Sequence, residues 1–184
     1  MGAIGRYQIA ILVCAAVGTA VGNPCLAQTV DVSRIRPATG FETGVIQEGL
    51  CSSATFRSLV DRLQTSDLIV YVAIRRLPDR RLTGSLEFLG ATATHRVLRV
   101  VTTFPLDRVS RVAVLGHELQ HALEVADAAE IRSSKTFDAY FRAHGLPGAI
   151  DSGYDTGAAR LTEIRIRHEL SGRTRACGAE SRRN

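Results

Sequence analysis

The chain has 184 residues, 45% of them hydrophobic and 22% charged, with a formal net charge of +5. That length suggests one domain, and the composition is that of a globular protein, which excludes a disordered or fibrous chain. The basic residues are mostly dispersed and carry no aromatic interleaving, so nucleic acid is not an expected partner and solvated surface arginines are the better reading.

Residues 1–27 read as a secretory signal peptide. Arg6 supplies a short basic start, Ile9 to Val21 is an uncharged apolar run, and Cys25-Leu26-Ala27 carries small residues where a cleavage site wants them, so cleavage is expected after Ala27. The run is shorter than the roughly 20 residues a membrane span needs, so no stable membrane insertion is expected once it is removed. An uncleaved anchor over residues 9–21, with the protein acting as a tethered interaction module, is the alternative. The expected location is therefore secreted or periplasmic. Cleavage leaves Cys51 and Cys177, an even pair in an exported chain, and a disulfide between them is expected.

Residues 28–50, with Pro37, Gly40, Gly44 and Gly49, read as an extended lead-in to a single domain over 51–184. Ser52 or Ser53 can cap a helix whose apolar positions Phe56, Leu59, Val60 and Leu63 keep helical spacing to about Gln64. Three strand-like runs follow, at 67–77, 82–89 and 96–103, joined by short connections; the first and third are rich in β-branched residues, and the second alternates less cleanly. They predict an α+β fold with a small three-stranded antiparallel meander, a mixed sheet being the alternative, on one face of a core and helices on the other.

Pro105 ends the third run, and Asp107 is a good helix N-cap. The helix after it is expected to run about 20 residues. In its middle is Val114-Leu115-Gly116-His117-Glu118-Leu119-Gln120-His121-Ala122-Leu123, which contains H-E-x-x-H. Residues four apart share one helix face, so His117 and His121 can aim two imidazole nitrogens at one point. That geometry suits a zinc ion, and Glu118 can take a proton from a zinc-bound water without ligating. Gly116 costs about 1 kcal/mol relative to Ala inside a helix, which predicts a close backbone approach beside the site. Ser134 is expected to cap a shorter helix holding Phe137, Tyr140 and Phe141. Asp155 or Thr156 then caps a last helix that reaches about Leu170.

A catalytic zinc usually has three protein ligands, so a third is needed. Asp127 follows His117 by ten, but Glu124 stands where the chain would have to turn back, and a continuing helix rotates Asp127 off the ligand face. Glu124 suits a place behind His121, on the ring nitrogen away from the metal. The last helix offers Asp155, among small residues that allow close packing, and Glu163, flanked by Arg160 and Arg167 at ion-pair spacing. Asp155 is the preferred ligand, with Glu163 and Asp127 as alternatives. Tyr154 is a candidate to polarise a substrate carbonyl opposite the metal. His95, His144 and His168 lack ligand spacing.

On Val114 to Leu123 the chain resembles the zincin-type metallopeptidases. The span from about Ser53 to Leu170 is similar to uncharacterised secreted bacterial proteins with a G-H-E-L-Q-H-A-L-E motif and a later aromatic-acid-Thr segment, which here is Tyr154-Asp155-Thr156. The resemblance implies zinc ligation by His117 and His121 with Glu118 as base, and it adds weight to Asp155. It also implies a substrate-binding edge strand, expected at 96–103. The resulting expectation is an exported zinc-dependent hydrolase that cleaves a peptide or protein substrate. The alternative is a non-catalytic zinc-binding domain on the same scaffold.

Overall fold

The computed structural model describes residues 34–146 and 155–172. The expected signal peptide over 1–27, Tyr154 and Cys177, with its expected bond to Cys51, lie outside the described residues. The described chain is α+β, with four strands in one mixed sheet and five helices. The strands are β1 (Ile35–Pro37), β2 (Leu68–Ile74), β3 (Gly84–Ala91) and β4 (Arg96–Thr102). The helices are α1 (Gly40–Ser52), α2 (Ala54–Gln64), α3 (Arg108–Asp127), α4 (Ser134–His144) and α5 (Gly157–Ser171). No described helix is long and apolar enough to cross a membrane.

The sheet corrects the three-stranded meander. Its order is β1-β2-β4-β3, with β1 and β4 parallel to β2 and β3 antiparallel to β4. Strand β4 is therefore interior, and the edge strand expected at 96–103 is instead β3. Composition gives the reason. The β-branched runs LIVYVAI and RVLRVVT fit central positions, whereas GSLEFLGA has two glycines and a serine and suits an edge. The connection 75–83 is long enough to carry β3 past the place that β4 then fills.

The lead-in expected over 28–50 is also corrected, because residues 35–37 pair with β2 and residues 40–52 form α1. Three glycines lower the helix propensity of this segment, so it does not read as helical on its own. Packing overrides propensity: Val45, Ile46 and Leu50 are buried, and Gly49 lies so close to the Phe56 ring that a Cβ there would collide with it. The buried Glu42 accepts a hydrogen bond from the Ile74 backbone at 2.8 Å and ties α1 to the end of β2.

The inner sheet face carries Leu68, Val70, Val72, Leu98 and Val100, all fully buried. Helix α3 crosses beneath it and contributes Val112, Leu115, Leu119 and Val125 to the core. Capping matches expectation at α2 and α3, where Ser53 accepts from Phe56 N and Asp107 from Ser110 N. For α4 the cap is Ser133, one residue earlier than expected, in a reciprocal pairing with Thr136. The cap of α5 is Thr156, which leaves Asp155 free of that duty.

Candidate metal centre

Helix α5 lies along α3, and two glycines permit the close approaches that shape the site. A Cβ on Gly116 would run into Ile166 of α5, so the glycine inside α3 serves the close approach expected of it. A Cβ on Gly84 of β3 would run into the Glu118 carboxylate. The edge strand thus passes directly over Glu118. Sequence reading missed this role, although an isolated glycine in a strand pattern is a signal for close backbone approach.

His117 and His121 sit one turn apart on α3, with their Nε2 atoms 3.2 Å from each other. Asp155, in the residue pair that leads into α5, brings Oδ1 to 3.5 Å from His117 Nε2. One ligand atom from each of the three lies within 4.8 Å of the others, so the group could hold a metal ion. Donors on a tetrahedral ion at ~2.1 Å stand about 3.4 Å apart, close to the two spacings that involve His117 Nε2. Asp155 Oδ1 is buried and has no hydrogen-bond partner. Its other oxygen, Oδ2, accepts from Arg160 Nε, which holds the carboxylate with Oδ1 turned toward the histidines. A buried carboxylate oxygen without a partner is costly, and a cation between it and the imidazoles would satisfy it.

The far side of each imidazole meets a carboxylate. His121 Nδ1 lies 3.0 Å from Glu124 Oε2, and Glu124 Oε1 accepts from Thr156 Oγ1 at 2.7 Å. Thr156 therefore caps α5 and fixes Glu124 with the same hydroxyl. His117 Nδ1 lies 3.1 Å from Glu163 Oε2, though it is not well aligned for a hydrogen bond. Arg167 grips Glu163 at 2.7 Å and also donates to Ser110. Carboxylates in these positions orient the rings and keep Nε2 available as the metal donor. The Phe141 ring of α4 packs edge-on against His121 at 5.3 Å between centroids.

Glu118 is buried next to the two histidines. Burial, the largest influence, pushes its carboxyl above the ordinary glutamate range, and Asp155 and Glu163 add to the rise against the pull of His121 and His117. Burial pulls the His117 imidazolium down, but Glu163, Glu118 and Asp155 outweigh it and raise its pKa. Glu163 is depressed to about 2, chiefly by His117 and, against its own burial, by Arg167.

No protein-family model matches the chain, and neither does any curated protein or solved structure. The site therefore rests on its own geometry.

Of the sequence candidates, the structure brings together His117, Glu118, His121 and Asp155. Glu163 stands behind His117 instead of with the ligands. Asp127 is exposed near the end of α3 and pairs with Arg62 at 3.0 Å. His144 stacks on Tyr140, His95 lies in the turn before β4 beside Thr94, and His168 is exposed on α5. Sequence reading missed Arg160, Thr156 and Phe141 as parts of this site. The spacing of Asp155 and Arg160 was visible, but the bridge from Thr156 to Glu124 depends on how two helices pack.

Proposed function

We propose that this protein is a zinc-dependent peptidase on a zincin-like scaffold, exported by its first 27 residues. The observation that carries the reading is the buried, unpartnered Oδ1 of Asp155 beside the two Nε2 atoms of His117 and His121. Two imidazole nitrogens and one carboxylate oxygen are a donor set that zinc favours, and they leave a fourth position open. Zinc held there would supply a Lewis acid for a substrate carbonyl and would lower the pKa of water toward ~7.

The remaining work belongs to the chain. Glu118 stands close enough to the histidines to receive the proton of the attacking water, and its raised pKa suits it to hand that proton on to the leaving amine. Arg160 and Glu124 keep Asp155 and His121 in position. The outer edge of β3 makes no backbone hydrogen bond with any described residue, so an extended peptide can add to the sheet there and lie across Glu118. The aromatic side chains of α4 help keep water from one side of the site.

The test pairs metal binding with turnover. Wild type and Glu118→Gln should each bind one zinc with similar affinity, and only wild type should hydrolyse unfolded casein or a peptide mixture. A loss of about 10²–10⁴-fold is expected from removing a general base. One bound zinc with equal, background-level hydrolysis in both proteins would instead mark a non-catalytic zinc domain.

A further inference from the structure

We infer that the site takes peptides whose segment C-terminal to the cleaved bond is acidic, and that Arg75, Arg76 and Arg80 recognise it. The inference rests on the peptidase reading for the place of the bond and adds the charge of the substrate.

Strand direction sets the geometry. The free edge of β3 offers antiparallel pairing, which is somewhat more stable per residue than parallel pairing. Because the Glu118 carboxylate lies against Gly84, the first residue of β3, the reacting bond is placed near Gly84. A peptide antiparallel to β3 then runs its N-terminal half along β3 toward Ala91. Its C-terminal half passes Gly84 and leaves the sheet at the end where the connection 75–83 lies. Both ends of that connection sit here, since Ile74 and Gly84 each pair with Thr102.

The connection holds four arginines and one acid. Arg81 is occupied by Asp79 at 2.8 Å. Arg75, Arg76 and Arg80 are exposed, and none of their side chains has an ion pair or hydrogen bond among the described residues. Arginines on the sheet itself differ: Arg96 is on Asp67, Arg99 on Glu87 and Arg36 on Tyr71. Three unspent guanidiniums beside an open strand end make a surface complementary to carboxylates, and such complementarity fixes the direction and register of a ligand. The metal centre is itself rich in carboxylates, which repel an acidic side chain at the reacting bond. The acids are thereby directed past Gly84.

The test uses the full zinc-loaded chain with Glu118→Gln, so that binding is read without turnover. Four labelled oligo-alanine peptides are compared by fluorescence anisotropy, with a block of glutamates or of lysines at either the C-terminal or the N-terminal end. The peptide ending in glutamates should bind at least ~10-fold tighter than the one ending in lysines, and tighter than the one beginning with glutamates. The preference should shrink as salt rises, because the arginines are exposed. R75A/R76A/R80A should abolish it and R75E/R76E/R80E reverse it, with unchanged zinc binding and circular dichroism. Equal binding of both glutamate peptides, tighter binding of the one beginning with glutamates, or a preference that survives the triple substitutions would overturn the inference. Hydrolysis by wild type against Glu118→Gln tests the peptidase reading separately.

Discussion

Two groups of buried charge sit on helix α3, and they are built on opposite principles. At its C-terminal end the fully buried Arg96 spends all its donors. It makes a two-pronged pair with Asp67 at 2.7 and 2.8 Å and donates to the carbonyls of Val125, Ala126 and Ala128. One guanidinium from the sheet thereby satisfies the orphan carbonyls that end a helix and balances its own charge. In the middle of α3, His117, His121, Glu118 and Asp155 leave a carboxylate oxygen unpartnered and crowd acids together until the Glu118 carboxyl resists ionisation. The first group is complete within the chain. The second is a group that a cation could complete. Buried charge of the first kind holds a fold together, and the second kind is where chemistry is expected.

The sharpest break between them is in stability. Arg96→Met should destabilise the fold by about 3–5 kcal/mol, since it strands a carboxylate and several helix-terminal carbonyls. Urea unfolding followed by circular dichroism reads this directly. A change under ~1 kcal/mol would mean that water reaches this end of α3 and replaces the guanidinium. Zinc affinity of the folded protein should be nearly unchanged.

The candidate metal site should behave the other way. Asp155→Asn should leave the metal-free protein about as stable as wild type yet weaken zinc binding by more than ~100-fold, beyond what loss of a supporting residue costs. Zinc at about 100 times its dissociation constant should stabilise wild type by ~2.7 kcal/mol and leave the variant nearly unmoved. Competition with a chromophoric chelator gives the affinities and thermal unfolding gives the linkage. Wild-type zinc affinity in Asp155→Asn would point to a ligand other than Asp155.

The same contrast explains what was legible in the chain. The H-E-x-x-H spacing, the Asp107 cap and the uninterrupted helical pattern are local, so helix α3 and its two histidines could be read directly. Glu124 in a continuing helix was enough to turn attention from Asp127, and Asp127 does lie away from the site with Arg62. Arg96 looked like an ordinary strand residue, because its partners come from 67 and from 125–128. The sheet order failed for the same reason: adjacency in sequence suggested a meander, while burial of the most apolar strands decided the order. Helix α1 was hidden by its glycines, one of which is there to admit Phe56.

Support for the histidines is the next smaller effect. Glu124→Gln keeps the size of the side chain but removes the charge facing His121 Nδ1, and it should weaken zinc binding by about 10–100-fold. Thr156→Val should weaken it less, since Glu124 keeps its charge and loses one hydrogen bond. If Thr156→Val proved the more damaging of the two, the capping role of Thr156 in α5 would outweigh its role behind the metal site.

The smallest effect is in the pH dependence of the metal-free protein, and its sign separates the two groups again. Asp67 is depressed chiefly by its hydrogen bonds to Arg96, so that pair contributes at any pH above the ordinary carboxylate range and is lost only in acid. Glu163 is depressed to about 2, so its contribution also persists above ~4.5 and fades as pH falls toward 2. His117 is raised, so its share is fully present below ~6.5 and is lost as pH climbs through its higher folded value. Metal-free protein should therefore lose stability above pH ~6.5, and His117→Gln should flatten that slope where Arg96→Met does not. Zinc binding needs the neutral imidazole, so affinity should rise over the same interval in which metal-free stability falls. Denaturation midpoints across this range, with and without zinc, should lie close together at low pH and diverge as pH rises in wild type. Parallel curves would mean that His117 takes no part in metal binding.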